Sequence, residues 1–411
     1  MPDAASLSLT ADRPVDWARL AVAVALSAVG GVGMWSVVVA LPALQAEFGS
    51  ARGGASLPFT LAMIGFAFGG VLMGRLADRF GIVAPLLLGA ALLALGYFAA
   101  SRAQNLTQVA LAHGLLIGVG SSASFGPLIA QVSQWFVRRR GIAVGLCASG
   151  NYLAGVVWPP LVEHGVATIG WRATHVAIAL VCAFAMPMLA AALVYRLKAA
   201  PAAAIAVAPP GAGDLRLPPG ALQALLCLAG VGCCVAMAMP QVHIVAYCGD
   251  LGFGPARGAQ MLSLMLGCGI VSRIASGFIA DRFGGLPTLL LGSALQGLSL
   301  LAYMAVDTLT ALFIVSALFG LFQGGIVPSY AIIIREYFPA KEAGARVGLV
   351  VMATLIGMAF GGWISGAIYD LTGSYRAAFA NGLAWNLVNG AVVVWLLVRR
   401  RGGLGLRPRP A

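Results

Sequence analysis

Charge is what this chain lacks most. Asp, Glu, Lys and Arg make up 9% of its 411 residues, against 60% hydrophobic, too little to clothe a soluble surface. Acids are scarcer than bases, 13 against 25. No Asp or Glu lies more than a turn inside any long apolar stretch. The chain also lacks a GxSxG, a P-loop or an HExxH sequence, so serine or zinc hydrolysis and ATP drive have no support. The seven cysteines (Cys147, Cys182, Cys227, Cys233, Cys234, Cys248, Cys268) form no CxxC pair and no metal spacing. They read as small buried hydrophobes. No catalytic residue, metal ligand or cofactor is expected.

What the chain has in abundance is apolar length. Twelve segments of roughly membrane-spanning size run at 18–43, 56–77, 83–101, 106–134, 142–165, 173–196, 221–247, 256–279, 286–305, 309–334, 344–368 and 374–398. The 54 glycines suit helices that approach closely in lipid. An all-α membrane protein follows, multi-pass in the cell (inner) membrane. With the N-terminus placed in the cytoplasm, nineteen Lys and Arg fall on that side. Five fall opposite (Arg52, Arg102, Arg172, Arg257, Arg376), and Arg273, the twenty-fifth, lies inside a helix. That asymmetry puts both termini in the cytoplasm. It also accounts for the net charge of +12 without nucleic acid, while Arg399–Arg401 and Arg407 are placed to meet anionic lipid heads. Asp3, Asp12 and Asp16 replace a cationic leader, so the first helix reads as a retained anchor.

The octapeptide GRLADRFG at Gly74–Gly81 returns as GFIADRFG at Gly277–Gly284, an interval of 203 residues. The same interval carries Gly141 and Gly145 onto Gly344 and Gly348. A polar hinge repeated in a greasy chain points to two pseudo-symmetric six-helix bundles, an architecture of carriers. The division expected is a tail at 1–17, a bundle at 18–196, an Ala/Pro-rich linker at 197–220, a second bundle at 221–398 and a basic tail at 399–411. In the hinge, Gly74 and Gly277 are expected to let helices approach. The Asp and Arg of the motif, Asp78, Arg79, Asp281 and Arg282, are expected to pair across the cytoplasmic gate in one arrangement and to part in the other.

These two octapeptides, with twelve spans, resemble the major facilitator superfamily over nearly the whole chain. Trp135–Gly155, Pro159-Pro160, Gly170-Trp171-Arg172 and Pro240–Phe253 resemble its monocarboxylate porter and oxalate/formate exchanger branch. The resemblance implies alternating access by rocking of two six-helix bundles about a central site. It places Arg273 at the branch's substrate-binding arginine and His243 at its helix-seven histidine. The chain departs from the animal members in having no Lys on its first helix and Gly269 one turn before Arg273. Their Lys–Asp–Arg proton arrangement is therefore not carried over.

Arg273 is the strongest site residue. It lies eight residues before Asp281, about 12 Å along a helix and so near the midplane of a core about 30 Å thick. A guanidinium there costs roughly 3 kcal/mol to insert, and its first-half counterpart, Gly70, shows that the scaffold does not demand a cation. Its planar fork suits a carboxylate better than a spherical ion such as chloride. The eleventh segment carries only Arg346, at its end, so a monoanion of the lactate or pyruvate kind fits better than a dianion. His243, after Pro240, is a candidate to bind substrate or take a proton, or to be a satisfied interior histidine. Gln323, Tyr330, Asn151 and Ser121 are further candidates, with interhelical bonding the plainer reading for Ser121. His113 reads as gate or packing, and His164 and His175 carry little signal. The partners expected are a small organic anion, a proton as optional co-substrate, and lipid; the chain is expected to work as a monomer, by symport, uniport or antiport. Rival readings are an oxalate/formate-type exchanger, an efflux carrier for amphipathic compounds and a transporter-like membrane sensor.

Overall fold

The computed structural model describes residues 14–136, 139–196, 215 and 217–404. The tail over 1–13, the linker over 197–214 and 216, and the tail after Leu404 lie outside the described residues. Eleven helices are long and apolar enough to span a membrane. One of them is two helices merged across Gly170, whose φ of 82° and ψ of 159° are not helical. The twelve are α1 (Pro14–Phe48), α2 (Arg52–Phe80), α3 (Val83–Ser101), α4 (Leu106–Trp135), α5 (140–169), α6 (171–196), α7 (Pro219–Asp250), α8 (Pro255–Phe283), α9 (Gly285–Ala305), α10 (Leu309–Tyr337), α11 (Glu342–Thr372) and α12 (Tyr375–Leu404). No strand occurs among the described residues.

The chain divides into two compact units. The first contains the described part of α1 to α6 with 255–263; the second contains 51–53, α7 and the chain from Leu264 onward. The helices run past the apolar segments at several ends. α1 starts at Pro14 rather than 18, which takes Asp16 and Arg19 into its first turns, buried and paired at 2.9 Å. Asp250 ends α7, and Asp370 lies in the last turn of α11.

The repeat is visible in the packing. In the first unit a Cβ built on Gly69 of α2 would lie 2.7 Å from Ser122 Oγ of α4. The positions 203 residues on are Ser272 and Gly325. Here α8 meets α10 with the small residues exchanged: a Cβ on Gly324 would sit 2.3 Å from the Gly269 carbonyl oxygen, and one on Gly325 1.8 Å from Ser276 Oγ. Close backbone approach at small residues replaces the hydrophobic drive that lipid cannot supply.

The hinge glycines correct one expectation. A Cβ on Gly74 or Gly277 meets nothing within 4 Å, so neither brings helices together. The glycines that the motif needs are its last ones. Gly81 and Gly284 have φ of 77° and 88° with ψ near 170°, a region open essentially to glycine alone. Each ends its helix with an N–H bond to a carbonyl four residues back, Ala77 and Ala280, both at 2.8 Å. These contacts predict a sharp contrast. Gly324→Ala should destabilise by about 1–3 kcal/mol through overpacking, while Gly277→Ala should stay within about 0.5 kcal/mol. Thermal unfolding in detergent reads both, and equal shifts would contradict the packing described.

Candidate functional site

Arg273 lies ten residues before the end of α8 at Phe283, about 15 Å of helix, and is half-buried. Its Nε donates to the Gly324 carbonyl oxygen at 3.4 Å. That carbonyl is available because α10 is interrupted at Gly324 and Gly325, between Gln323 and Ile326. A broken helix leaves backbone acceptors that an unbroken one consumes. The residue before the break is Gln323, fully buried, whose Oε1 accepts from Gln241 Nε2 at 2.9 Å. Its own Nε2 has no acceptor among the described residues. The carbonyl that the guanidinium bonds belongs to the residue that follows Gln323 in α10. A cation beside an unused amide donor in a helix break is suited to an anion with more than one oxygen.

His243 sits in a different network. It is wholly buried and its Nε2 donates to the Gly362 carbonyl oxygen at 2.8 Å. A carbonyl only accepts, so in the neutral ring Nδ1 is the acceptor, facing the Tyr375 hydroxyl at 3.3 Å. Both nitrogens are occupied, which favours the satisfied interior histidine over a ring open to substrate. The Tyr375 hydroxyl also accepts from Arg52 Nη1 at 2.7 Å, while Arg52 Nη2 pairs with Asp250 Oδ1 at 3.1 Å. The Arg52 guanidinium lies 4.8 Å from the Tyr369 ring centre, close enough for cation–π attraction. Asp370 accepts the backbone N–H groups of Arg52 and Gly53, each at 2.7 Å. Nothing in the sequence marks Arg52 as more than a loop cation. Only folding brings it, from 198 residues away in sequence, to Asp250 and farther still to Asp370 and Tyr375.

Tyr330 is also committed elsewhere. Its hydroxyl contacts Asn389 Oδ1 at 3.3 Å and Cys233 Sγ at 3.4 Å, and Asn389 Nδ2 donates to Ser293 Oγ at 2.6 Å. This buried mesh ties α7, α9, α10 and α12. It fills the role of interhelical hydrogen bonding rather than the substrate contact first expected of Tyr330.

Asn151 and Ser121 belong to the first unit, around α1. Helix α1 turns at Gly31. A Cβ there would lie 2.7 Å from Ala154 Cβ and 3.1 Å from Asn151 Oδ1, and one on Gly33 would lie 2.1 Å from Ser121 Oγ. Asn151 also accepts from Trp35 Nε1 through its backbone carbonyl, at 3.2 Å. Asn151 Oδ1 and Ser121 Oγ are buried with no bond among the described residues. The structure therefore bonds Arg273 to the residue after Gln323, sets Asn151 and Ser121 together against α1, and gives the polar atoms of His243 and Tyr330 partners on other helices. In the hinge, Asp78, Arg79, Asp281 and Arg282 are exposed. Arg79 and Arg282 lie over the neighbouring Phe80 and Phe283 rings at 5.1 and 5.7 Å.

Comparison with known proteins gives a consistent picture. A model of the Major Facilitator Superfamily matches residues 23–307 and 224–410. Monocarboxylate transporter 13 of Bos taurus is 31% identical over 345 residues, covering 82% of this chain and 79% of that protein. The MFS-type transporter pynF of Aspergillus niger is 27% identical over 338 residues, covering 80% and 75%. The inward-facing, occupied crystal structure of a bacterial homologue of the human lysosomal transporter Spinster superposes with a TM-score of 0.68. That alignment covers 98% of this chain and 100% of the other at 14% identity, a likeness of fold.

Proposed function

The chain belongs to the major facilitator superfamily and is a membrane transporter, not an enzyme, and we propose that its cargo is a small monocarboxylate anion of the lactate or pyruvate kind, bound through Arg273. The observation that carries this lies at the α10 break: the Arg273 guanidinium bonds the Gly324 carbonyl, and the preceding residue, Gln323, has a buried Nε2 with no acceptor among the described residues. A carboxylate supplies two oxygens for the guanidinium fork, and a 2-oxo or 2-hydroxy oxygen is a partner for the amide. Arg346, the one cation of α11, supports a monoanion, because it is paired with Glu342 at 2.6 Å one turn away. The cargo named in the bovine relative is of the same class.

In this reading both termini face the cytoplasm, and access to the site alternates between the two sides of the membrane. The exposed Asp and Arg of the paired hinges contribute to that alternation. A proton is the candidate co-substrate, and the chain acts alone. Purified protein in liposomes should take up labelled lactate or pyruvate saturably, with unlabelled monocarboxylates competing and oxalate competing at least tenfold less well (about 1.4 kcal/mol). Equal competition by oxalate would favour the exchanger. Competition only by amphipathic compounds would favour the efflux carrier.

A further inference from the structure

The first unit holds a second polar centre that the substrate reading leaves unused. His113 of α4 and His175 of α6 are both wholly buried, with ring centres 5.8 Å apart. Each ring bonds the backbone carbonyl four residues before it through Nδ1, to Val109 at 2.9 Å and to Trp171 at 2.8 Å. Since a carbonyl only accepts, each Nδ1 carries hydrogen and each neutral Nε2 carries a lone pair. Neither Nε2 has a partner among the described residues. Two buried acceptors thus lie in one cluster with no donor between them, an arrangement that costs desolvation on both sides.

We propose that His113 and His175 together form a proton-binding site, taking a single proton for the two rings. Protonating one ring turns its Nε2 into a donor and leaves the other as its acceptor, directly or through a bridging water. The neutral pair has two acceptors and the doubly protonated pair two donors, so only the single charge is complementary. The proton comes from water and returns to water, and no bond in the cargo changes. The inference rests on the transport reading, to which it adds the place of the co-substrate.

Aromatic rings and one ion pair surround the two histidines. The Tyr97 and Trp171 rings each lie 5.3 Å from the His175 ring, within cation–π reach. Tyr97, on α3, shares a hydrogen with Ser36 of α1 at 2.6 Å. Trp171 Nε1 donates to Glu47 at the end of α1, and Glu47 pairs with Arg172 at 2.6 Å. One carboxylate and one guanidinium therefore stand beyond Trp171. Cys182 on α6 neighbours Tyr97. The α2 face is apolar here, with Leu61, Ala62 and Gly65 against Gly114 and Gly118, and the titratable residues of its Leu57–Phe80 stretch, Arg75, Asp78 and Arg79, lie in its last two turns.

The local backbone is unusual too. From His113 to Gly118 the helix is π-wound, a deviation that recurs at functional sites. Its glycines carry the close approach of α2: a Cβ on Gly118 would sit 2.3 Å from the Ala62 carbonyl oxygen. His113 opens this stretch and lies 6.2 Å from the Tyr97 ring and 5.8 Å from the His175 ring.

The chain has four histidines, so nitrogen NMR of histidine-labelled protein in liposomes resolves them. His243 is bonded at both nitrogens and His164 is exposed, giving an internal reference. On acidification from about pH 8 to about pH 5, the pair should convert one Nε2 lone-pair signal per chain to the protonated form. In His113→Asn or His175→Asn, whose amide keeps the backbone bond, the remaining ring should stay neutral over that range. Conversion of both rings, or of neither, would overturn the proposal, and the wild-type titration decides this even if a variant fails to fold. In the second arm an inward pH gradient is imposed on liposomes. The ratio of monocarboxylate uptake with the gradient to uptake without it should exceed one in wild type and fall to one in both variants. A ratio that the variants leave unchanged would overturn the site. Absence of any monocarboxylate uptake, beside an intact titration of one proton, would instead overturn the cargo reading alone.

Discussion

Arg273→Ala is expected to abolish saturable monocarboxylate uptake while the protein still folds and inserts. The fold side of this expectation rests on the half-buried position of the side chain and on the length of its bond to the Gly324 carbonyl, 3.4 Å; losing one such bond costs about 1 kcal/mol. The function side is larger. Removing the cation leaves a carboxylate to shed its water for the Gln323 amide alone, and losing a charge-assisted bidentate contact costs about 3 kcal/mol or more, over a hundredfold in affinity. Arg273→Lys separates charge from shape. It keeps a cation but not the planar fork, so uptake should return in part, with a raised half-saturation concentration. Uptake by Arg273→Ala equal to wild type, at equal protein in the liposomes, would remove Arg273 from the site.

The second large effect concerns stability. Arg52→Met should lower the thermal midpoint strongly, with a loss of about 3 kcal/mol, the low end for breaking a buried ion pair because Asp250 keeps part of its hydration. The methionine fills much of the volume but leaves the Tyr375 hydroxyl and the Asp250 carboxylate without the donor they share. Asp370→Ala attacks the same place from the other side, removing the acceptor of two backbone N–H groups. The close approach of Gly53 and Gly366, where a Cβ on Gly366 would lie 2.9 Å from Gly53 N, admits no bulky substitute. The double variant should cost less than the sum of the singles, since both undo one network. Simple additivity would show that Arg52 and Asp370 act independently.

Much of this fold is written plainly in the sequence, because lipid imposes a rule that each helix must obey alone: about 20 apolar residues and no unpaired charge. The twelve segments follow from that rule, and so does the suspicion of Arg273, which breaks it. The GRLADRFG repeat shows two halves because sequence copies share register. The roles within the motif were less visible. Gly74 and Gly81 look alike on the page, and only backbone angles separate the glycine that turns the chain from the one facing open space. Helix ends were misplaced where a charge is paired, as at Asp16 with Arg19, because pairing lets helix continue through residues that composition assigns to a loop.

The polar network was the least legible part. His243 follows a proline near the site in sequence, yet its nitrogens are claimed by Gly362 and Tyr375, residues on two other helices. The Tyr330 hydroxyl makes it a candidate in the sequence, and Asn389 and Cys233 occupy that hydroxyl in the fold. Arg52 was counted as a loop cation and is among the buried polar residues. His113 and His175 are 62 positions apart, and no periodicity links them. Each outcome depends on which side chains meet across helices, and spacing within one helix carries no record of that.

The central claim is that a monocarboxylate binds at Arg273, and binding can be read without transport. Thermal unfolding of purified wild type and Arg273→Ala, side by side with lactate, pyruvate, oxalate, formate and benzoate, is the direct measurement. A ligand that binds only the folded state raises the midpoint with concentration. The account predicts stabilisation of wild type by lactate or pyruvate, and none in Arg273→Ala. Equal stabilisation of both proteins, or none from any carboxylate, would contradict it.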